Sequence, residues 1–254
     1  MLTKKKIEEE LQNIGVHALK IIYYEETDST NTRAKEFAES NTENHEPIIF
    51  IANSQTAGRG RRGRSFLSNA GAGIYVSILT YPDEQGADAT TATAKAAVSL
   101  ARAIESLCEC QIQIKWVNDL YLGGKKLAGI LTEGKMENDG KIAYQVVGMG
   151  INVYKTAISD EILEIATSLE GELKCAPDRS YLTAKIIKEF LSGNTDFYTE
   201  YKARSFIIGK SVTVMRLNER YEAEVIDLNP DFSLLIKRDG KEERLFTGEI
   251  GLKI

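Results

Sequence analysis

An arginine- and glycine-rich segment at residues 55–64 is the part of the sequence best suited to binding an anion. It reads Gln-Thr-Ala-Gly-Arg-Gly-Arg-Arg-Gly-Arg, with four arginines, three glycines and no carboxylate. Guanidinium groups bind oxyanions through paired hydrogen bonds, and glycine lets backbone N–H groups approach an anion closely. Apolar runs at 47–53 and 72–79 predict buried strands that would hold this segment in place. The pattern favours a phosphate or carboxylate site, although its spacing is neither a Walker motif nor a dinucleotide fingerprint.

Two other groups of residues carry polar side chains that could take part in chemistry. The cluster at 27–32, Thr-Asp-Ser-Thr-Asn-Thr, precedes a predicted helix. One such residue is enough for an N-cap, so the others are candidates for binding. Asn118 and Asp119 end an alternating strand pattern, where they could form a turn or present oxygen ligands to Mg²⁺. Lys125 and Lys126 follow a predicted hairpin turn, and strand alternation sends their side chains to opposite faces.

Composition excludes several classes of protein. The chain has 254 residues, a net charge of −5 and only two histidines, His17 and His45, so we expect no triad or zinc site built on several histidines. Three cysteines, Cys108, Cys110 and Cys175, fit a reducing compartment. No apolar run approaches the length of a membrane span, and no signal peptide is visible. We therefore expect a cytoplasmic protein that does not bind membranes.

The apolar periodicity predicts an α+β fold with a mainly antiparallel sheet. Helices are expected within 1–20 (with Gly15 as its stop) and at about 32–40, 92–108, 160–170 (with Ser159 as its cap) and 180–192. Strands are expected at 20–24, 47–53, 72–79, 111–117, 120–122, 125–133 and 141–152. After Phe206 the pattern changes to short strands at 211–217, 221–228, 233–237 and 243–247, which predict a small barrel. The predicted domains are therefore 1–206 and 207–254.

Five motifs together resemble those of the biotin protein ligases, in content and in order. They lie at 28–31 (Asp-Ser-Thr-Asn), 55–64, 115–121 (Lys-Trp-Val-Asn-Asp-Leu-Tyr), 125–131 (Lys-Lys-Leu-Ala-Gly-Ile-Leu) and 148–152 (Gly-Met-Gly-Ile-Asn). The resemblance implies a catalytic domain like that of class II aminoacyl-tRNA synthetases, followed by an SH3-like β-barrel. It also implies that biotin and ATP form biotinyl-5′-AMP, with Mg²⁺ as cofactor. Biotin would then pass to a lysine of a biotin carboxyl carrier protein domain.

The same resemblance implies roles for individual residues. The residues expected to bind biotin are Ser29, Thr30, Asn31, Gln55, Gly58, Arg59, Gly60, Arg61, Lys126 and Gly129. Those expected to bind ATP or the adenylate are Arg61, Arg62, Arg64, Phe66, Asn118 and Asn152. Lys126, Arg59 and Arg61 are the expected catalytic residues, and Asp119 is the expected metal ligand. Trp116, the single tryptophan, is expected to pack in the core.

Two departures from the family pattern carry expectations of their own. Phe66 stands where many bacterial members have a tryptophan that stacks on adenine, so we expect weaker binding of the adenylate. Only about twenty residues precede the first matching strand, too few for the winged helix-turn-helix of some members. We therefore expect an enzyme without specific DNA binding. The sequence does not decide whether the protein forms a homodimer.

Two alternatives remain. A lipoate or octanoyl transferase-like enzyme would share the fold. A nucleic-acid-binding module would use the arginine- and glycine-rich segment, but the acidic net charge of −5 counts against it.

Overall fold

A seven-stranded sheet lies at the centre of the computed structural model, which describes residues 2–41, 45–82, 88–138, 140–173, 176–192, 196–216 and 219–252. The strands are β1 (Lys20–Thr27), β2 (Ile48–Gln55), β3 (Gly73–Thr80), β4 (Gln113–Lys115), β5 (Asp119–Leu122), β6 (Lys125–Met136) and β7 (Ile142–Asn152). Their order is β1-β2-β3-β7-β6-β5-β4. Only β1 and β2 are parallel, so the sheet is mainly antiparallel, as predicted.

Helices cover both faces of this sheet. They are α1 (Lys4–Asn13), α2 (Thr30–Ser40), α3 (Ala89–Glu105), α4 (Leu169–Leu173), α5 (Arg179–Leu191) and α6 (Phe197–Arg204). Alternate residues of β2 belong to two separate apolar clusters, because successive side chains of a strand point to opposite faces. Phe50 packs with Ala34 of α2, whereas Ile49 and Ile51 belong to the larger core that includes α3 and α5. No helix among the described residues is long and apolar enough to span a membrane.

A second, five-stranded antiparallel sheet follows the last helix. Its strands are β8 (Ser211–Arg216), β9 (Glu219–Leu228), β10 (Leu234–Arg238), β11 (Lys241–Leu245) and β12 (Glu249–Leu252). The fifth strand pairs with the first, as in an SH3-like barrel. Phe232 joins this sheet to the rest of the molecule: its ring stacks on Phe197 at 5.7 Å, and its carbonyl accepts a hydrogen bond from Trp116 Nε1 at 2.7 Å. The buried position of Trp116 confirms its expected packing role.

Several predicted elements differ in the structure. The helix expected at 160–170 is wrong: a short 3₁₀ turn, Asp160–Ile162, is followed by a further turn at 163–165, by a bridge from Ala166 to Lys126 and then by α4. The Ser159 side chain makes no capping bond. The physical reason is a pairing with β6, in which Lys126 N donates to Ile165 O at 3.0 Å and Thr167 N donates to Lys126 O at 2.8 Å. Backbone groups that would bond within the helix interior bond to β6 instead.

Other predictions were incomplete rather than reversed. The strand expected at 111–117 is only the three residues of β4, and α6 and β12 were not predicted. The domain boundary expected at 206/207 falls between α6 and β8, and it stays a prediction. Cys175 and Leu217, the last residue of the strand expected at 211–217, lie outside the described residues.

Candidate active site

A cleft lies between the start of α2, the segment 55–68, strands β5 to β7 and the start of β12. Fourteen of the predicted site residues line it: Ser29, Thr30, Asn31, Gln55, Arg59, Gly60, Arg61, Arg62, Arg64, Phe66, Asn118, Asp119, Lys126 and Gly129. Two others do not. Gly58 lies behind the lining, where its carbonyl accepts the N–H of Phe66 at 2.9 Å. Asn152 is buried and donates from Nδ2 to the carbonyl of Thr167 at 3.1 Å.

One end of the cleft, which we call the neutral end, is built from uncharged polar groups: Ser29, Thr30, Asn31, Gln55 and Ser77. Gln55 Oε1 accepts from the backbone N–H of Thr30 at 2.8 Å and from its hydroxyl at 3.1 Å. Ser77 Oγ lies 2.7 Å from Thr30 Oγ1 and 2.6 Å from Asn31 Oδ1. The Ser29 side chain makes no capping bond at the start of α2, which leaves its hydroxyl free for a ligand. This network holds the side chains in fixed orientations before any ligand arrives.

Asn31 also connects the neutral end to a carboxylate. Its Nδ2 donates to Leu131 O at 3.1 Å and to Glu133 Oε2 at 2.9 Å. Glu133 forms ion pairs with Lys35 at 2.8 Å and with Arg59 at 3.1 Å. Burial alone would raise the pKa of the Glu133 carboxyl, but the hydrogen bonds from Lys35 and Asn31 outweigh it and hold that pKa below its usual range. Glu133 therefore stays ionised at neutral pH and fixes the orientation of the Asn31 amide.

The arginine- and glycine-rich segment folds into a tight loop over the cleft. Gly60 N donates to Arg64 O at 2.7 Å, and Arg62 adopts a left-handed backbone with φ 56°. Gly58 is required by close packing, because a Cβ there would lie 2.3 Å from the carbonyl oxygen of Phe66. The loop is thus ordered by its own backbone bonds and by contact with the chain that follows it.

The opposite end of the cleft, which we call the cationic end, holds Arg61, Arg62, Arg64, Lys115 and Lys126. Arg61 donates to Asn118 Oδ1 at 3.1 Å and to the carbonyl of Gly248 at 3.2 Å. Burial lowers the pKa of the Arg61 guanidinium, which nevertheless remains charged at any physiological pH. Its planar fork is therefore fixed between the central sheet and the second sheet.

Glu249, at the start of β12, lies against two further arginines of the loop. Arg64 Nη2 is 2.5 Å from Glu249 Oε1, and Arg62 Nη1 is 3.9 Å from Glu249 Oε2. Arg62 also donates to the carbonyl of Met215 at 3.1 Å. The second sheet thereby supplies the counter-charge for the loop, a contribution that the motifs do not reveal.

Lys126 faces the cleft, on the opposite side from Lys125 as strand alternation predicts for the pair, and its ammonium lies 2.7 Å from Asp119 Oδ1. Lys125 points away and donates to the carbonyl of Leu163 at 2.7 Å. Lys126 Nζ also lies 3.4 Å from the position that a Cβ would occupy on Gly129. A larger residue than glycine there would crowd the lysine, so the glycine keeps space beside the ammonium.

Phe66 contributes an apolar aromatic surface to the lining of the cleft. Its ring packs on the backbone of Gly150, where a Cβ would come within 2.6 Å of the ring, and it meets Tyr75 edge to face at 6.4 Å. The glycine therefore allows a flat aromatic surface to lie against β7. Such a surface is suited to stacking against a planar ligand.

The charges of the cleft contrast with those of the whole molecule. Its lining includes the basic side chains Arg59, Arg61, Arg62, Arg64, Lys115 and Lys126, and the carboxylates Asp119 and Glu249. The cleft therefore concentrates positive charge in a chain whose net charge is −5. A site of this kind attracts and holds a multiply charged anion. Sequence reasoning missed Ser77, Glu133 and Glu249, because strand pairing or the second sheet brings them to the motifs from far along the chain.

Comparisons with known proteins agree on one family. The model of the biotin/lipoate A/B protein ligase family matches residues 23–152. The bifunctional ligase/repressor BirA of Bacillus subtilis is 30% identical over 242 residues, covering 91% of this chain and 74% of the relative. The biotin–[acetyl-CoA-carboxylase] ligase of Mycobacterium tuberculosis is 29% identical over 224 residues, covering 84% of this chain and 81% of the relative.

Solved structures give the same answer for the fold. The biotin protein ligase of Aquifex aeolicus, in complex with biotin and ATP, superposes with a TM-score of 0.76 and 26% sequence identity. The superposition covers 92% of this chain and 98% of that one. The α+β fold with a second antiparallel sheet is thus confirmed.

Proposed function

We propose that this chain, which belongs to the biotin/lipoate A/B protein ligase family, is a biotin–protein ligase that uses ATP. The observation that carries the proposal is the pairing of a neutral, hydrogen-bonding end with a cationic end in one cleft. Biotin has the matching parts: a neutral, planar ureido ring and a carboxylate that must meet the anionic triphosphate. The neutral end would hold the ring, and the cationic end would hold the reacting groups.

The ureido ring needs matched donors and acceptors, because each unpaired polar group in a desolvated pocket costs affinity. Ser29, Thr30, Asn31 and Gln55 supply hydroxyl and amide groups, and the first three are at most 4% exposed. Internal bonds preset the directions of the Thr30, Asn31 and Gln55 side chains, so little freedom is lost there when the ring binds. The backbone of the loop from Gly58 to Arg61 would close over the bound ring.

In the first half-reaction, a carboxylate oxygen of biotin attacks the α-phosphorus of ATP. The bond from that phosphorus to the bridging oxygen breaks, and pyrophosphate leaves with the electron pair. Bringing two anions together needs preorganised positive charge. Lys126, placed beside Asp119 and the Phe66 ring, is positioned for the reacting carboxylate and the α-phosphate, with Arg59 and Arg61 lining the same region.

Magnesium would accompany the triphosphate. Mg²⁺ in such sites is held by one or two carboxylates together with phosphate oxygens and water. The cleft contains a fitting donor in Asp119, whose carboxylate faces it from the start of β5. The described residues contain no cluster of three or more histidine, cysteine or acidic side chains, so most ligands would come from ATP and water. Asp119 would then contribute charge neutralisation and orientation of the phosphates.

Adenine would bind on the aromatic and amide side of the cleft. Phe66 offers its exposed face for stacking, and Asn118 is fixed by donating to Ile130 O at 3.0 Å. The Asn152 amide donates to the Thr167 carbonyl, so it would have to give up that bond to reach the base.

In the second half-reaction, a lysine amine of a carrier domain attacks the biotinyl carbonyl carbon, and AMP leaves. The acceptor is proposed to be the carrier domain of a biotin-dependent carboxylase.

The second candidate is a lipoate or octanoate ligase, because the matching family includes both kinds of enzyme. The hydrogen-bonding groups of the neutral end favour biotin, since lipoate and octanoate carry a purely apolar tail that would leave them unpaired. The test is pyrophosphate release from Mg-ATP, measured with biotin, lipoate or octanoate as the acid. We expect release with biotin alone. Release with lipoate or octanoate but not biotin would overturn the proposal.

A further inference from the structure

The turn between β4 and β5, residues 116–118, presents two of the proposed site residues to the cleft. Asn118 lies within it, and Asp119 follows it as the first residue of β5. Both side chains line the cleft. Lys115 pairs with Asp119 across the hairpin, so only three residues form the turn. The positions of Asn118 and Asp119 therefore depend on how this turn is held.

Two buried hydrogen bonds hold the turn from outside the central sheet. The Tyr201 hydroxyl, on α6, donates to the Val117 carbonyl at 3.0 Å. Trp116 Nε1 donates to the Phe232 carbonyl, in the second sheet region, at 2.7 Å. Tyr201 is fully buried, and Trp116 and Phe232 are at most 3% exposed. Water does not compete for bonds in such surroundings, so each bond restricts the turn strongly.

Phe232 connects the two bonds to each other. Its ring meets the Tyr201 ring edge to face at 5.4 Å, while its carbonyl receives the Trp116 indole. Its backbone is left-handed, with φ 59°, a conformation that a bulky residue rarely adopts. Such a conformation persists only where the surrounding structure requires it. The contacts around Phe232 therefore form one packed unit behind the turn.

The helix that carries Tyr201 is itself anchored. Glu200 Oε2 lies 2.5 Å from Arg102 Nε, and Arg204 Nη1 lies 2.6 Å from Glu105 Oε1. Both partners belong to α3, the longest helix packed on the sheet. Ion pairs on either side of Tyr201 thus fix α6 against α3. The Tyr201 hydroxyl consequently has a fixed position from which to hold the turn.

The charges that act on Tyr201 show how close it lies to the site. Burial raises the pKa of the Tyr201 phenol, the Asp119 carboxylate raises that pKa further, and Arg61 opposes them. The hydroxyl therefore keeps its proton and remains a donor at physiological pH. Tyr201 does not line the cleft, but it lies behind the part that holds Asp119 and Arg61.

We propose that Tyr201 is a positioning residue for adenylate formation, a role that rests on the proposed function. Its hydroxyl holds the Val117 carbonyl, and the turn then keeps Asn118 and Asp119 aimed at the phosphates and the base. Tyr201 itself touches no substrate. A displacement of about 1 Å at reacting groups can cost about 100-fold in rate. Loss of one of the two bonds, with the other intact, should cost less.

The test is Tyr201→Phe, which removes the hydroxyl and keeps the ring. We expect the rate of adenylate formation, measured as biotin-dependent pyrophosphate release, to fall about tenfold. The dissociation constant for biotin should change less than about twofold, because the neutral end does not contact this turn. A merely structural role would lower the rate and the affinity for biotin together.

Tyr198→Phe is the matched control. Tyr198 lies on the same helix, meets the Phe232 ring edge to face at 5.9 Å and donates to the Leu228 carbonyl at 2.8 Å. The control thus removes the same kind of bond, but from β9 rather than from the turn. We expect both variants to lose similar thermal stability, and only Tyr201→Phe to lose rate.

A second readout needs no substrate. Trp116 is the only tryptophan of the chain, so its fluorescence reports on this turn alone. We expect quenching by acrylamide to increase about twofold in Tyr201→Phe, because a loosened turn opens more often to solvent. Quenching in Tyr198→Phe should match that of the wild type.

Three results would overturn the inference: equal losses of rate in the two variants, wild-type quenching of Trp116 in Tyr201→Phe, or equal falls of rate and biotin affinity. A wild-type protein without biotin-dependent pyrophosphate release would instead overturn the proposed function. The quenching comparison would still show whether the Tyr201 hydroxyl holds the turn. The two failures are therefore distinguishable.

Discussion

The two ends of the cleft solve their binding problems in opposite ways. At the neutral end, Ser29, Thr30 and Asn31 are at most 4% exposed. The Thr30 hydroxyl donates to Gln55, and the Asn31 amide oxygen accepts from Ser77, so both side chains are held in place. At the cationic end, the side chains of Arg62 and Arg64 are 41% and 65% exposed, and both lie on the carboxylate of Glu249. A neutral ligand therefore meets a preset surface, whereas a phosphate must replace a carboxylate that is already in place.

The difference follows from the physical cost of each task. An unpaired polar group in a buried pocket costs about 1–3 kcal/mol, so a site for a neutral ring must be fully matched in advance. Clustered arginines repel one another until an anion arrives, and Glu249 supplies that anion from the second sheet. An exposed ion pair contributes only about 0–1 kcal/mol, so exchanging it for a phosphate is inexpensive.

The largest expected effect comes from removing the central charge of the cationic end. In Lys126→Ala we expect adenylate formation to slow by about 100- to 1,000-fold, because one preorganised donor to developing charge is worth that much. The dissociation constant for biotin should change less than tenfold, since the neutral end is intact. Stopped-flow formation of the adenylate and calorimetric biotin binding measure the two quantities. If the rate of adenylate formation and the affinity for biotin fall by equal factors, Lys126 is a binding residue, and the proposed separation of roles between the two ends is wrong.

A single added methyl group is expected to disrupt the hydrogen bonds of the neutral end. In Gly148→Ala the new Cβ would lie 2.1 Å from Asn31 Oδ1, which would displace the amide and its bonds to Ser77 and Glu133. We expect biotin affinity to fall about 30- to 100-fold, with ATP binding in the absence of biotin unchanged. Gly251→Ala is the matched control, because its nearest neighbour would be 3.8 Å away. Unchanged biotin affinity in Gly148→Ala would contradict a rigid neutral end.

A smaller effect is expected from Arg61→Gly. This change removes the bonds to Asn118 and to the Gly248 carbonyl, and with them the guanidinium that we propose for the phosphate of the adenylate. The fold should be intact by circular dichroism, while biotinyl-5′-AMP leaves the protein about tenfold faster in a release assay. Release at the wild-type rate would argue against a phosphate-side role for Arg61.

The smallest effect sharpens the idea of exchange. Glu249→Gln keeps the shape of the side chain but removes the charge that holds Arg62 and Arg64. We expect the KM for ATP to fall about two- to fivefold, because the phosphates no longer compete with a carboxylate. Biotin affinity should not change. A higher KM for ATP would show instead that Glu249 orients the arginines for the nucleotide.

Sequence reasoning reached the loop, Lys126 and the neutral side chains at 29–31, because these residues occur in short motifs with recognisable chemistry. It could not reach Ser77, Glu133 or Glu249, since each is brought in by pairing between distant segments. The helix expected at 160–170 failed for a related reason: backbone bonds from Ile165 and Thr167 to Lys126 in β6 interrupt the helix that the local pattern favours. Local patterns identify side chains that bind, and tertiary contacts decide which partners hold them.

The central claim is that one cleft joins biotin to ATP and passes it to a protein. Its most direct test is intact-mass spectrometry of a biotin carboxyl carrier domain after incubation with the protein, Mg-ATP and biotin. The account predicts a mass increase of one biotinyl group, absent without ATP and absent when the acceptor lysine of the carrier is replaced by arginine. No increase, with no pyrophosphate released, would contradict the account.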